Sequence, residues 1–212
     1  MSNMSGSSLY SLKQQSLSMA KDLSAATKTV TDAVTIYANE NESVSSMLNK
    51  AQPTVLLSAA SGMSSSSSAD AIQGILNQFN LSEDQAMHVA DTVEKLSSEI
   101  ALDFSKGCDT ISQSIATSGS VVNEAGMSFE KYAALVSTTA EKTRVSGSQI
   151  GNAFKTIFSR ISRSKDGLTT DAEMSDAEAA LKSVGVSVRR ADGDLRDISD
   201  TLDDLNKVCI MQ

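Results

Sequence analysis

The sequence has no tryptophan, one proline, one histidine and two cysteines in 212 residues, and its aromatics amount to five phenylalanines and three tyrosines. Sandwiches and barrels draw on alternating β-branched and aromatic runs. Without them a core must come from Ala, Val, Ile, Leu and Met, which suits helices packed at close range, alanine being the best helix former. Cys108 and Cys209 lie far apart with no local partner, so no disulfide framework is expected and a reducing compartment is the default. His88 has no Cys, His or carboxylate at ligand spacing and reads as an ordinary helix residue rather than a metal ligand or a general base. There is no glycine-rich phosphate loop, no His-x-x-x-His and no Gly-x-Ser-x-Gly elbow. Asp192-Gly-Asp194 falls short of a calcium loop, because Leu195 and Arg196 stand where further oxygen ligands are needed. No cofactor, metal or small-molecule substrate is therefore expected, and the chain does not read as an enzyme. No apolar stretch approaches the ~20 residues that span a bilayer, and the first twenty residues lack the apolar run of a signal peptide. The expectation is a soluble chain that does not insert into a membrane by itself.

Positive charge is also scarce overall. The formal net charge is −8, which argues against a nucleic-acid surface, since phosphate binding needs an excess of Lys and Arg. The charge is unevenly placed. The run from Lys142 to Lys165 holds Lys142, Arg144, Lys155, Arg160, Arg163 and Lys165 with no acidic residue, whereas Asp171 to Asp204 holds ten acidic residues against four basic. The simpler reading is that one run faces the other within the molecule. The alternative is a basic surface for DNA or for an acidic partner.

What the chain does have is helical periodicity. From Leu9 a three-four spacing of seam residues runs through Leu12, Ser16, Met19, Leu23, Ala26, Val30, Ala33, Tyr37, Glu40, Val44, Met47 and Ala51, a heptad pattern. Read as one helix over residues 9–52, following a disordered stretch at 1–8, it is roughly 63 Å long from Leu9 to Lys50 at 1.5 Å per residue. Its weak seam predicts a need for a partner, from the same chain or from another copy. Pro53 marks a break, Thr54 to Ser61 reads as a short helix, and Gly62 with the serines at 64–68 reads as a flexible linker. Residues 53–164 then read as a helical core. A helix from Asp70 to Phe79 precedes a capping box at Ser82 to Gln85, whose helix buries Ala86, Val89, Ala90, Val93, Leu96 and Ile100. Gly107 interrupts, a small-residue helix runs on to Gly126, and Ser128 caps a helix burying Phe129, Tyr132, Ala133, Val136 and Ala140.

The stretch Gly147 to Ile161, GSQIGNAFKTIFSRI, concentrates the packing information. Ile150, Ala153, Phe154, Ile157, Phe158 and Ile161 share one side of a helix. Gly151 flanks that side and admits a close neighbour, and Ser146 or Ser148 is placed to cap the first turn. After a linker at 165–174, residues 175–212 read as helix, hairpin and helix. A capping box at Ser175 to Glu178 opens a helix that stops at Gly185, Val186 and Val188 alternate with Ser187 and Arg189, and Asp192-Gly193 supplies a hairpin turn. Asp197 opens a last helix through Ile198, Leu202, Leu205 and Val208. The fold class predicted is mainly α: a long N-terminal amphipathic helix, then a multi-helix bundle, with a small β-hairpin near the C-terminus.

The order GSQIGNAFKTIFSRIS, ALKSVGVSV, ADGDLRD and ISDTLDDLNK resembles the core region of tailed-phage tape measure proteins, over about Leu48 to Lys207. Gly147, Gln149, Gly151, Arg160, Gly185, Gly193 and Arg196 carry the likeness, while Ile150, Phe154, Ile157, Phe158 and Ile161 are the expected packing and interaction residues. The resemblance implies a largely helical rod that sets tail length and nucleates polymerisation of the tail tube. It implies partners in tail-tube and tail-assembly chaperone proteins, and a location in the virion tail and, during assembly, in the bacterial cytoplasm. The amphipathic seams add an expectation of self-association. Such proteins are usually several times longer, so the chain is expected to be a truncated or prophage-derived fragment. The alternative, from another class, is a helical interaction module such as a secreted effector or a chemoreceptor-like signalling segment.

Overall fold

The computed structural model describes residues 6–38, 43–162, 176–194, 196–197, 200–204 and 207. Nine α-helices are present among them: α1 (Gly6–Asp22), α2 (Thr27–Ala38), α3 (Val44–Ser61), α4 (Ser65–Gln78), α5 (Ala86–Glu99), α6 (Phe104–Glu124), α7 (Phe129–Thr143), α8 (Gly147–Ser162) and α9 (Asp176–Ser183). Residues 200–204 are also helical. The mainly α multi-helix architecture expected from composition is thus the one observed.

The long N-terminal helix is not. Its heptads are divided among α1, α2 and the start of α3. The first reversal falls at Ser24, which adopts φ 50°, while the Ala25 N–H bonds back to the Ala20 carbonyl at 2.9 Å. This left-handed stop satisfies the end of α1 without a glycine, so no local residue signals it. Ser43 restarts the chain as the N-cap of α3, accepting from the Ser46 N–H at 3.1 Å. The seam residues Leu12, Val30, Ala33, Tyr37, Met47 and Ala51 bury against each other, with Val55 and Ala69, in a first apolar cluster. The partner the seam needed is its own chain.

Three further breaks were misplaced for related reasons. Helix α3 runs through Pro53, which is buried; the helix keeps its course because packing on that face outweighs the missing N–H. The serine run is the opening of α4, with Ser64 as N-cap accepting from Ser67 N–H at 3.0 Å, so it is neither linker nor flexible tract. Gly107 lies inside α6 and is buried, with α5 so near that a Cβ would stand 3.0 Å from the Ser97 Cβ. It is a contact residue rather than an interruption. Residues 6–8 of the expected disordered terminus are helical.

A second, larger apolar cluster fills the space enclosed by the end of α3 and by α4 to α8, around Leu57, Ile72, Ile75, Val89, Val93, Ile111, Ile115, Tyr132, Val136, Ile150 and Phe158. The predicted inward faces of α5 and α7 are the buried ones, apart from partly buried Leu96. Gly126, at φ 91°, ends α6 as expected, and Ser128 caps α7. At Ser82 the Gln85 side chain accepts from the Ser82 N–H at 3.2 Å, while the Gln85 N–H turns to the Ser82 carbonyl at 3.0 Å.

The β-hairpin is not formed, and no strand occurs among the described residues. Gly185, at φ 81°, ends α9 with the Val186 N–H on the Leu181 carbonyl at 2.9 Å, a Schellman closure. A turn then places Gly193 at φ 92°, and two backbone bonds cross it, Arg190 N–H to Asp194 carbonyl at 2.8 Å and Arg196 N–H to Val188 carbonyl at 2.9 Å. Two bonds do not make a ladder, and an isolated pair of strands this short is marginal in water. Side chains hold the turn instead. Arg189 Nε donates to Glu178 at 3.1 Å, Arg196 donates to the Ser187 carbonyl at 2.9 Å and to Asp204 at 2.7 Å, and Lys131 of α7 reaches Asp197 at 2.5 Å. The linker at 165–174 and Ser175 lie outside the described residues, as do Ile198, Leu205 and Val208 of the last helix.

Candidate functional site

The site to which the sequence points is α8, and it is built on absence of side chain. Gly147 and Gly151 are buried, one turn apart, against α6. A Cβ on Gly151 would stand 2.7 Å from the Thr117 Cβ and 2.8 Å from the Ser114 carbonyl oxygen; one on Gly147 would collide with the carbonyl of Thr110. The two backbones therefore approach more closely than any pair of larger residues would permit, and α6 with α8 is the most extensive helix contact in the molecule. Helix α6 matches this with Thr110, Ser114 and Thr117, small residues at one-turn spacing.

Seating on the glycines decides which side chains go inward. Ile150 and Phe158 are fully buried and Phe154 partly so, whereas Ala153 and Ile157 face solvent, Ile157 at 47% exposure. The apolar stripe as read from spacing was thus centred one flank away from the face actually used. Ile161 and Arg160 belong to α8, and their side chains lie outside the described residues. Ser146 is the cap, as expected, and Gln149 completes it. Its Oε1 accepts from the Ser146 N–H at 3.2 Å and from the Ser146 hydroxyl at 3.0 Å, while the Gln149 N–H reaches the Ser146 oxygen at 3.4 Å. Ser-x-x-Gln is a capping-box spacing and was legible in the sequence.

Beneath α8 stands Tyr132 of α7, its ring 5.6 Å from Phe154 and 6.3 Å from Phe158, both edge-on. Its hydroxyl sits 2.5 Å from Ser118 and 3.1 Å from Ser114. The Ser118 hydroxyl donates to the Ser114 carbonyl at 2.8 Å, so Tyr132 donates to Ser118 and accepts from Ser114. Burial pushes the phenol up, and the two serines only partly offset it. This buried, hydrogen-bonded phenol ties α7 to α6.

Much of both charged runs, Arg163, Lys165, Asp171 and Glu173 among them, lies outside the described residues. One contact from the acidic run to the bundle is Asp197 on Lys131 of α7. Within the basic run, Arg144 donates to the Ala101 carbonyl at 2.6 Å, and Lys142 and Lys155 are exposed with no ion pair among the described residues. His88 is paired with Glu130 at 2.8 Å, both about half exposed. Cys108 is a free, buried thiol, which burial pushes above its ordinary value. No group of three or more His, Cys, Asp or Glu among the described residues is placed to hold a metal. No described helix is long and apolar enough to cross a membrane.

Sequence reasoning passed over Lys50, which is completely buried where α2, α3 and α4 meet. Its Nζ donates to Gln73 Oε1 at 2.8 Å and lies 4.6 Å from the centre of the Tyr37 ring. Thr54 donates to the Lys50 carbonyl at 2.8 Å and shares a 2.7 Å bond with the Tyr37 hydroxyl, which is therefore the donor. Nothing in the periodicity of the chain sets this lysine apart from its exposed fellows.

Such a site, made of glycine seats, caps and aromatic edges, is that of a packed helical scaffold. The chain belongs to the phage-related minor tail protein family, whose profile matches residues 13–209. It is 24% identical over 190 residues to a protein named as the probable tape measure protein of Escherichia phage P2, covering 90% of this chain. The chain spans 22% of the length of that relative. No solved structure matches it. The family gives the coarse function, a structural role in a phage tail.

Proposed function

We propose that this chain is a tape-measure-like assembly element of a phage tail, contributing to tail length and to nucleation of the tail tube. The observation that carries the reading is the family match across residues 13–209, joined to the likeness to the P2 protein over nearly the whole chain. The physical support is α8, whose glycines fix its seat and leave Ile157 and Ala153 outward as contact points. Tail-tube and tail-assembly chaperone subunits are the proposed partners, with self-association through exposed helix faces. Its proposed locations are the host cytoplasm during assembly and the tail of the finished virion. The chemoreceptor-like alternative loses its main support, because the heptads it requires as a continuous coil fold back between α1 and α2.

The test has two parts. Co-expressed with the tail-tube and chaperone proteins encoded beside it, the chain should co-purify with at least one of them, and Ile157→Asp should weaken that association at least tenfold. In a phage carrying the gene, in-frame insertion of helical residues should lengthen the tail by roughly 1.5 Å per residue if the helix acts as a ruler. Tails of unchanged length would remove the ruler, and a chain that purifies away from all tail proteins would remove the assembly role too.

A further inference from the structure

The N-terminal helices bury their apolar residues against α3 and α4 and apart from α5 to α8. Helix α1 buries only Leu12 and Ala20, and its Leu9, Tyr10 and Leu17 are among the most exposed large apolar side chains of the molecule. Helix α2 buries Val30, Ala33, Val34 and Tyr37, all in the smaller of the two apolar clusters, which contains nothing from α5 to α8. The seam between α2 and the α3–α4 pair has polar groups where an apolar knot would bind more firmly. Lys50 is buried there under the Tyr37 ring, with Gln73 of α4 as acceptor, and Tyr37 itself is tied to Thr54. Taking an ammonium out of water carries a desolvation cost even when it is well paired, whereas burying an apolar side chain of the same volume is favourable.

From this we infer that α1 and α2 are a lid that opens as one unit, parting from α3 and α4 along the Lys50, Gln73 and Tyr37 seam while α4 to α8 stay folded. On opening, Lys50 regains water, which offsets part of the lost burial, and Met47, Ala51 and Val55 of α3 become an apolar stripe at helical spacing. Local openings of lower free energy than global unfolding are the rule where few apolar contacts hold an element. The inference stands apart from the tail assignment, since it rests on burial and hydrogen bonding alone.

Hydrogen exchange on the purified chain tests it. Amides of α1 and α2 should exchange together and at least tenfold faster than those of α6, with a common dependence on denaturant. Lys50→Met fills the same space without a charge and should slow exchange in α1 and α2 at least tenfold while leaving α6 unchanged. Gln73→Leu keeps the charge but removes the bond to the Gln73 side chain, and should speed exchange in α2, again without altering α6. The lid is excluded if α1 and α2 exchange no faster than α6, or if both substitutions shift every helix equally. Tyr37→Phe keeps the ring over Lys50 and serves if Lys50→Met does not fold; faster exchange confined to α1 and α2 supports the lid, and uniform change rejects it.

Discussion

At the scale of the residue, glycines with the same backbone freedom have opposite roles, and the difference is spatial. Gly151 has the α6 backbone within reach of any added methyl, whereas a Cβ on Gly74 of α4 would meet nothing within 4 Å. Gly74→Ala should therefore raise stability by about 0.5–1 kcal/mol, the helix-interior gain of alanine over glycine. Gly151→Ala carries the same intrinsic gain but forces α8 away from α6, and overpacking of this kind costs about 1–3 kcal/mol. Urea titration of the two variants measures both, and a Gly151→Ala protein as stable as Gly74→Ala would remove the close seat from the account of α8. The sequence pointed to Gly151 as a place of close approach, because a glycine beside an apolar stripe has few other uses. It misjudged Ala153 and Ile157 because spacing shows which residues share a side and not how far the helix rolls when its nearest neighbours are glycines. Lys50 could not be read at all, since its burial depends on three helices meeting at one point.

At the scale of the element, caps were the most legible feature and breaks the least. Ser128, Gly126 and Gly185 act locally, through bonds to their own turn, and so appear in any window of sequence. The reversal at Ser24 uses a left-handed serine, and the passage of α3 through Pro53 is settled by packing from outside the window, so neither follows local rules. The Ser146 cap gives a direct test, because it opens the helix on which the proposed assembly role rests. Ser146→Ala should cost about 1 kcal/mol, the usual price of a lost N-cap, with the first turn of α8 exchanging faster and α4 unaffected. The pairing of α5 with α7 supplies a pH test. Burial pushes Glu130 up, but bonds from His88, from its own backbone and from Ser128 outweigh it, leaving the carboxyl below its ordinary 4.5. The native state therefore favours the carboxylate, so this contribution is present above the unfolded value and is lost as pH falls through the lowered one. Both side chains are about half exposed, and screening keeps the effect small. Glu130→Gln should be less stable than the parent at pH 6, with the two converging below about pH 4; urea midpoints at the two pH values that keep the same separation would contradict the pairing.

At the scale of the whole molecule, the two apolar clusters predict two levels of opening, and Cys108 separates them. Its thiol is completely buried in the cluster built from α4 to α8, far in connectivity from the α1–α2 lid. Burial above all holds its ionisation above the ordinary 9.0; hydrogen bonding offsets it only in part, and the carboxylates of Glu94 and Asp109 add smaller upward contributions. Alkylation requires the thiolate, so the folded protein is protected twice, by enclosure and by the raised ionisation. In a Cys209→Ser background, which leaves one thiol, modification at pH 8 should proceed at the rate of global unfolding. Its denaturant dependence should equal that of the slowest α6 amides, while α1 and α2 exchange on their own faster schedule. Because the native state prefers the protonated thiol, stability from this group is complete below the unfolded value and declines as pH rises through the raised one, so the alkaline limit of the fold should move upward in Cys108→Ala if the cavity left is tolerated. Rapid labelling of Cys108 in native buffer would mean that the large cluster opens as readily as the small one. A molecule of that kind would have no stable body against which a lid could move, and the division of labour between an anchored α8 and a detachable α1–α2 pair would have to be abandoned.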